Sequence, residues 1–294
     1  MHLSMHNWMR SEPIEVTLAR LARYGYGSIE IKGEPDQYDT KEVRAQLDHY
    51  KLDCWGAVTL TLAERNLCAK DEQQRAATVQ YMKDCVTMVK ELDGQELTIV
   101  PSTVGKITPD GTPEEEWQWC VDGLKEIHEL ASASGVRMCI EGLNRFETHF
   151  VNRGDQAKAL ADAVAPDVGV CLDAFHVNIE EVDFYQAIRD AGDRLVDFHV
   201  ADNNRMACGM GALDWPAIVE ELKGIGYDGA LTVEFVAPID RTPANQYPDA
   251  VETNPVDISP EEMQFIIDHG SSLLSESFYD MLVEKCATTL LPLI

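Results

Sequence analysis

Four side chains that can bind a metal ion or transfer a proton each stand directly after a short apolar run of the sequence. They are Glu141, Asp173, His199 and Glu234. Three carboxylates brought together would repel one another and raise each other's pKa unless a cation lay among them. With one imidazole they form an oxygen-rich set that suits Mn²⁺, Mg²⁺ or Co²⁺ better than Zn²⁺, which usually takes more histidine or cysteine. Singly, each could cap a helix or lie in a solvated turn, but four at equivalent positions favour a divalent metal site.

The elements that must position these side chains alternate along the chain. Short β-branched runs alternate with longer segments of helical period, which is the pattern of a parallel sheet with crossover helices. Eight such pairs in 294 residues predict an α/β fold, a single (β/α)₈ TIM barrel, whose chemistry lies at the carboxyl ends of the strands. The predicted strands are 3–5, 28–31, 54–60, 97–101, 137–140, 169–172, 196–198 and 230–233. The four candidate ligands then meet at the ends of the fifth to eighth strands.

Two helix starts are explicit in the sequence, at Thr112-Pro113-Glu114-Glu115 and at Ser259-Pro260-Glu261-Glu262. Thr112 supplies a capping hydroxyl, Pro113 stands at the first helical position and Glu115 at the third. Apolar residues then recur at helical spacing, which predicts one buried face. They are Trp117, Val121, Leu124, Ile127 and Ala131.

The chain reads as one domain over residues 1–294, because no Gly-, Ser- or Pro-rich linker interrupts the alternation. Residues 237–258 are the exception, since they are rich in Pro and Asp, lack periodicity and exceed an ordinary loop between strand and helix. We expect this segment to be an active-site lid or an interface loop after the eighth strand.

The charge balance excludes some classes of partner. The chain has 24 Lys and Arg residues and 51 Asp and Glu residues, which gives a formal net charge of −27. Such a surface repels phosphate backbones and anionic lipid, and no Lys/Arg run provides a basic face. No apolar stretch approaches the ~20 residues that cross a bilayer. We therefore expect neither nucleic acid nor membrane as a partner.

The first residues and the cysteines indicate a cytoplasmic protein. Residues 1–6 lack the basic flank and apolar run of a secretory signal. Eight cysteines are scattered without a Cys-x-x-Cys pair. This favours reduced, mostly buried thiols over a disulfide or zinc framework.

Three segments carry a family resemblance. EGLNRFE at 141–147, LDAFHVNIEE at 172–181 and the stretch 199–215 resemble the signature segments of the ketose 3-epimerases, such as the D-tagatose and D-psicose 3-epimerases. These enzymes belong to the xylose-isomerase-like TIM-barrel superfamily. The separations of 32, 26 and 35 residues between the four candidate ligands also match that family within a residue.

The resemblance implies roles for seven residues. Glu141, Asp173, His199 and Glu234 would bind a divalent metal, Mn²⁺ most commonly, with Co²⁺ or Mg²⁺ as alternatives. Glu141 and Glu234 would also act as the acid/base pair on opposite faces of the carbon that inverts. The remaining three would hold the hydroxyls and carbonyl of the sugar. They are Glu147, His176 and Arg205.

Elementary chemistry agrees with these implied roles. Removing a proton from the carbon next to a carbonyl is slow in water, so the site must stabilise an enediolate. A metal on the carbonyl and hydroxyl oxygens acts as a Lewis acid, and a carboxylate within hydrogen-bond reach is a sufficient base. A second carboxylate on the far side returns the proton. Glu141 and Glu234, on non-adjacent strands, permit this arrangement.

Departures from the family pattern leave the substrate open. The eighth strand reads VEFV at 233–236 instead of a Met-Glu-Pro-Phe type sequence, Ala201-Asp202 replace Gly-Glu, and the loop 101–105 lacks the aromatic residues that commonly floor the far part of the sugar pocket. Two hypotheses follow. The preferred one is a ketose 3-epimerase or isomerase. The alternative resembles the larger subunit of C-glycoside deglycosylating enzymes, a lyase that uses the same proton chemistry on 3-keto C-glycosides.

Two other classes are less compatible with the sequence. The superfamily also contains DNA-repair endonucleases, but a charge of −27 argues against a polyanionic substrate. A non-catalytic interaction protein requires that the four candidate ligands bind no metal.

The secondary site residues also have simpler interpretations. Arg145 and Glu147 could form a surface ion pair, His176 could be a capping or core histidine, and Arg205 could pair with Asp202.

The carboxyl-terminal residues are strongly apolar. Steps of three and four from Phe278 to Cys286 predict a last helix that packs on the barrel. Leu290, Leu291, Leu293 and Ile294 are predicted to lie beyond it and to need another surface. We expect this tail to dock on a neighbouring subunit or on a small partner chain, so that the protein is a homo-oligomer or part of a complex.

Overall fold

The computed structural model describes residues 1–238, 240, 242–251 and 273–294. They contain eight parallel strands, numbered here in chain order. The strands are β1 His2–Met5, β2 Ser28–Gly33, β3 Asp53–Thr59, β4 Glu96–Ile99, β5 Arg137–Glu141, β6 Gly169–Asp173, β7 Leu195–Val200 and β8 Ala230–Val233. Each strand pairs with its sequence neighbour from β2 to β8, and β8 pairs with β1.

Two contacts bring β1 and β2 together. The N–H of Gly27 donates to the carbonyl of Leu3 over 2.9 Å, and His6 and Glu30 form an isolated parallel bridge. The ring is the predicted TIM barrel, and every strand end lies within two residues of its predicted position.

The described part of the chain contains nine α-helices. They are α1 Ile14–Tyr24, α2 Thr40–Tyr50, α3 Glu72–Glu91, α4 Pro113–Ser134, α5 Gly154–Val164, α6 Ala174–Glu180, α7 Phe184–Ala191, α8 Trp215–Gly224 and α9 Glu276–Leu290. Short 3₁₀ helices cover Pro35–Gln37, Gly192–Arg194 and Leu291–Leu293. None of the helices in the described ranges has the length and apolar character needed to span a membrane.

Helix α4 begins as the sequence predicts. Thr112 accepts a hydrogen bond from the N–H of Glu115, whose side chain accepts one in return from the N–H of Thr112. Val121, Leu124 and Ile127 of the predicted face are buried against the barrel.

Part of the barrel interior is acidic. Glu30 of β2, Glu96 of β4 and Asp197 of β7 are at most 1% exposed, and we call these three residues the buried acid layer. TIM-barrel interiors are usually filled by branched apolar side chains. Gly56 on β3 makes room for this layer, because a Cβ there would collide with the carboxylate of Glu96.

The segment after β8 is only partly described. Residues 239, 241 and 252–258 of the expected lid or interface loop, and the predicted helix start at 259–262, lie outside the described residues. Its earlier part contacts the start of α9. The N–H of Ser275 donates to the carbonyl of Ala250 over 2.7 Å, and the rings of Tyr247 and Phe278 lie 5.1 Å apart.

The carboxyl-terminal tail packs on its own barrel more fully than the sequence predicts. Leu290 was expected beyond the last helix, but it is the last residue of α9 and is fully buried. Leu293 and Ile294 pack partly against the core, and Lys223 of α8 donates to the carbonyl of Leu293 over 2.6 Å. The helix extends one turn further than predicted, because Leu290 continues the buried face of Leu282, Val283 and Cys286. The part of the expectation concerning Leu290 is therefore wrong.

Candidate active site

The structure brings the four candidate ligands together at the carboxyl end of the barrel. Glu141 ends β5, Asp173 ends β6, His199 lies in β7 and Glu234 follows β8. Their potential ligand atoms all lie within 4.8 Å of one another. The Nδ1 atom of His199 is 3.1 Å from Glu141 Oε1 and 3.3 Å from Glu234 Oε2.

Strand register produces this convergence. Asp173 pairs with His199 across β6 and β7, and the N–H of Glu234 donates to the carbonyl of Val200 over 3.0 Å. Side chains of a strand alternate between its two faces. Equivalent register therefore places the four side chains inside the same end of the barrel.

Arg205 bridges two of these carboxylates. Its Nη1 lies 2.6 Å from Asp173 Oδ2, and its Nη2 lies 3.1 Å from Glu234 Oε2. Its backbone is in the left-handed region, with φ +59°, which is unfavourable for a residue with a side chain. Asp202, the simpler candidate partner, instead accepts N–H groups of Asn203 and Gly209 in the same loop.

Asp173 serves two structural purposes. Its Oδ1 accepts the N–H groups of Phe175 and His176 over 2.6 and 3.2 Å, so it caps α6. Its Oδ2 faces Arg205. Burial would raise the pKa of Asp173, but Arg205 and His176 hold it well below its usual value.

Glu234 and His199 instead have raised pKa values. Burial raises the pKa of Glu234 to about 8, against the opposing effects of Arg205 and His199. Burial alone would lower the pKa of His199, but Cys171, Glu141 and other acidic groups around it raise it well above its usual value. Three carboxylates thus face one guanidinium and one imidazole, an arrangement that attracts a divalent cation.

Glu147 and His176 belong to one hydrogen-bond network on the same cavity wall. The N–H and the side-chain amide of Asn144 lie 3.2 and 2.9 Å from His176 Nδ1, and the amide also donates to Glu147 Oε1 over 2.6 Å. A backbone N–H can only donate, so Nδ1 of His176 is the acceptor and Nε2 carries the proton. The alternative interpretation, a surface ion pair between Arg145 and Glu147, does not apply, because Arg145 binds Glu180.

A cavity of about 470 Å³ lies at this end of the barrel. Glu141, Glu147, His176, Arg205 and Glu234 face it from one side. The seven site residues predicted from the sequence therefore lie in or directly beneath one cavity.

Sequence reasoning missed two kinds of residue near the site. Trp8 follows β1 and donates its indole N–H to Glu234 Oε1 over 3.1 Å. Beneath the rim, Nε2 of His199 lies 3.3 Å from both Glu30 Oε2 and Asp197 Oδ2. The available signals were an aromatic residue directly after β1 and single acidic residues inside apolar strands.

The fold and site together resemble proteins of known classes. The pattern of the xylose isomerase-like TIM-barrel family matches residues 18–268. The chain belongs to this family.

Relatives within the family are sugar epimerases. The D-psicose 3-epimerase of Ruminiclostridium cellulolyticum is 30% identical over 226 residues, which cover 74% of this chain and 76% of that enzyme. The 3-dehydro-D-guloside 4-epimerase of Escherichia coli is 28% identical over 237 residues, 77% of this chain and 88% of the relative. The chain is therefore an enzyme of the sugar epimerase and isomerase kind, and its predicted resemblance to the ketose 3-epimerases is confirmed.

A solved structure supports the same fold. The D-allulose 3-epimerase of Methylomonas sp., determined with D-allulose, superimposes with a TM-score of 0.80 at 24% identity, over 98% of this chain and 95% of that chain. The predicted barrel is confirmed by this similarity.

Proposed function

We propose that this enzyme epimerises a keto sugar by removing a proton from the carbon next to the carbonyl and returning one to the opposite face. The observation that carries the proposal is the meeting of Glu141, Asp173, His199 and Glu234 within 4.8 Å at the carboxyl end of the barrel. Two carboxylates that can exchange protons stand on non-adjacent strands there, and the cavity gives a sugar access to both.

The donor set fits a divalent cation. Three carboxylates and one imidazole are buried together, and this oxygen-rich set favours Mn²⁺, with Co²⁺ or Mg²⁺ as alternatives. A bound cation would polarise the carbonyl and adjacent hydroxyl of the sugar and stabilise the negative charge that develops there.

Glu141 and Glu234 are the proposed acid/base pair. One carboxylate takes the proton from the sugar carbon, and the carboxylic acid of the other gives a proton to the opposite face. Trp8 and Arg205 fix the carboxyl group of Glu234 by hydrogen bonds to its two oxygens. His199 Nδ1 lies between the two glutamates, 3.1 and 3.3 Å from their nearest oxygens.

Glu147, His176 and Arg205 are the proposed sugar-binding residues. Asn144 fixes both Glu147 and His176, so a carboxylate acceptor and an Nε2–H donor are held ready for sugar hydroxyls. Arg205 offers guanidinium N–H groups at the border between the ligand cluster and the cavity.

The reaction that we favour is 3-epimerisation of a ketose. The relatives compared above are named as epimerases, and they give no support to the C-glycoside lyase alternative.

Deuterium exchange tests this function directly. Purified protein is stripped with a chelator, reloaded with Mn²⁺ or Co²⁺ and incubated in deuterated water with a panel of ketohexoses. We expect deuterium at the carbon next to the carbonyl together with the epimer, both lost on chelation and restored by metal. Full activity in the chelated sample would contradict the metal role, and absence of exchange from every keto sugar would contradict the reaction.

We make two further proposals, on location and on assembly. We place the enzyme in the cytoplasm, which is consistent with its eight cysteines, all free and buried. We also propose that Leu291, 37% exposed, and the half-buried Leu293 and Ile294 contact a second subunit or a small partner chain.

A further inference from the structure

A second histidine adjoins the ligand cluster. His6 directly follows β1 and is fully buried. Its backbone N–H donates to the carbonyl of Val233 over 3.1 Å, one residue before Glu234. Its ring meets the ring of His199 edge to face, with the two centroids 4.5 Å apart. His6 is therefore held next to two of the four candidate ligands, although the roles described above do not use it.

The two ring nitrogens of His6 face carboxylates of different regions. Nδ1 lies 3.5 Å from Glu30 Oε2 in the buried acid layer, and Nε2 lies 3.8 Å from Glu234 Oε1 at the rim. Among the described residues, neither nitrogen has a hydrogen bond of ordinary length. Buried polar atoms nearly always have a partner, so these two nitrogens require an explanation.

The position of Glu30 favours one tautomer of His6. A neutral imidazole carries a proton on one nitrogen and a lone pair on the other. Glu30 is the nearer of the two carboxylates, so the proton belongs on Nδ1 and the lone pair on Nε2. That lone pair faces Glu234 Oε1, which also accepts the indole N–H of Trp8. Two acceptors that face each other are compatible when a cation lies between them.

The distances allow His6 to share a cation with its neighbours. His6, His199 and Glu234 each offer one ligand atom, and the three atoms lie within 4.8 Å of one another. A nitrogen or carboxylate ligand lies about 2.1 Å from a divalent metal, so two atoms up to about 4.2 Å apart can bind the same ion. The 3.8 Å between His6 Nε2 and Glu234 Oε1 falls within that limit.

We propose that His6 is a further ligand of the metal centre and binds the divalent cation through Nε2, beside His199 and Glu234. Glu30 then stands behind His6 as Asp197 stands behind His199, because a carboxylate at the other ring nitrogen orients a metal-binding imidazole. A second imidazole makes the centre more favourable for Co²⁺ relative to Mg²⁺, which prefers oxygen ligands. This inference rests on the proposed function, since it adds a ligand to the same metal centre.

Pulsed electron paramagnetic resonance tests the ligand set of the wild-type enzyme. Protein stripped with a chelator is loaded with one equivalent of Mn²⁺, and the couplings of metal-bound nitrogen nuclei are recorded. We expect couplings from two imidazoles. Couplings from a single imidazole would overturn the inference and leave the metal role in the proposed function intact. Absence of Mn²⁺ binding would instead contradict the metal role itself, and the inference with it.

A pair of variants separates binding of the metal from packing of the ring. His6→Phe keeps an aromatic ring but removes Nε2. His149→Phe is the matched control, because His149 also faces a carboxylate, with Nε2 3.0 Å from Glu116 Oε2, but lies outside the ligand cluster. Dissociation constants for Co²⁺ and Mg²⁺ are measured by calorimetric titration of the metal-free proteins.

We expect His6→Phe to raise the dissociation constant for Co²⁺ by about tenfold or more beyond any change for Mg²⁺. His149→Phe should leave both constants unchanged. Equal weakening of Co²⁺ and Mg²⁺ binding in a His6→Phe variant that circular dichroism shows to be folded would mean that the ring only packs against His199, which would overturn the inference.

Discussion

The carboxyl rim and the buried acid layer below it both contain carboxylates, but they differ in how these groups are compensated. At the rim, Asp173 binds Arg205 and two helix N–H groups, and Glu234 binds Trp8 and Arg205. In the layer, both oxygens of Glu30 lack a hydrogen-bond partner.

The pKa values follow this difference only in part. Burial raises the pKa of Glu96 to about 8, and it raises that of Glu30 well above its usual range. Arg205 keeps Asp173 ionised at the rim. Glu234 also contacts Arg205, yet burial raises its pKa to about 8. Contact with one cation therefore does not decide the pKa of a buried carboxylate, which depends on the balance between burial and all the charges around it.

The largest effect on the rate of proton exchange is expected from substituting the two rim glutamates. Glu141→Gln or Glu234→Gln keeps an oxygen at the site but removes its basicity, so exchange of the sugar proton should fall by ~10²–10⁴. Deuterium incorporation gives the rate, and metal analysis reports retention of Mn²⁺. Glu221→Gln, in an exposed ion pair with Arg189 on the outside of the barrel, is the matched control. If either rim variant exchanged at the wild-type rate, that glutamate would lose its acid/base role.

A smaller effect is expected at Asp197, which links the buried acid layer to the rim through its contact with His199. Asp197 lies 3.3 Å from Nε2 of His199 and is itself fixed by the hydroxyl of Thr232 at 3.0 Å. A carboxylate behind a metal-binding histidine orients the ring and increases its basicity. Asp197→Asn should therefore weaken Mn²⁺ binding by about 10- to 100-fold, measured by titration of the metal-free protein with electron paramagnetic resonance detection.

The control for this prediction lies deeper in the barrel. Glu96→Gln also removes a buried carboxylate, but Glu96 binds Thr98 and Cys139 and not the ring of His199. Equal Mn²⁺ dissociation constants for Asp197→Asn and the wild type would show that the layer does not position the ligand.

The layer itself should make stability depend on pH. The pKa of Glu96 is raised in the folded state, so between about pH 4.5 and 8 the folded protein holds a proton that the unfolded chain has released. Its contribution to the free energy of unfolding is thus greatest at low pH and declines as pH rises through this window, by at most ~1.4 kcal/mol per pH unit.

Glu96→Gln should remove this contribution and flatten the curve by up to ~1.4 kcal/mol per pH unit. Urea denaturation of the metal-free proteins at intervals from pH 5 to 8 measures it. A slope identical to that of the wild type would mean that Glu96 is ionised in the folded protein.

The smallest effect is expected at the tail, far from both regions. Deleting residues 291–294 removes Leu291, Leu293 and Ile294 but keeps Leu290, which the barrel itself buries. We expect native mass spectrometry to show smaller assemblies while activity per folded barrel is preserved. An unchanged mass would show that these residues serve only their own chain.

The rim could be predicted from the sequence because its signal is local. Each candidate ligand directly follows an apolar run, so strand positions alone placed Glu141 and Asp173 at one end of the barrel. The prediction of where β7 ends was less accurate. The strand continues to Val200, so His199 lies inside it, paired with Asp173 on one side and Thr232 on the other.

The buried acid layer could not be predicted in the same way. Glu30 and Asp197 interrupt apolar runs, and whether such a residue faces the interior or the helices depends on the register of a closed sheet. Glu96 requires in addition a glycine on the neighbouring strand, at Gly56. The partner of Arg205 could not be predicted from the sequence either. Asp202 accepts N–H groups of its own loop, so the guanidinium of Arg205 binds Asp173 and Glu234 instead.

The left-handed backbone of Arg205 has a consequence for motion at the site. In this conformation its carbonyl accepts the N–H of Val236 over 2.9 Å, two residues beyond Glu234. The loop after β7 is thereby linked to residues 234–236, just after β8, so these two segments should move together. An outward movement of Arg205 would pull on the chain just after Glu234 and disturb the ligand cluster. Entry and departure of a sugar should therefore use the opposite side of the cavity mouth, where the loops after β3 and β4 lie.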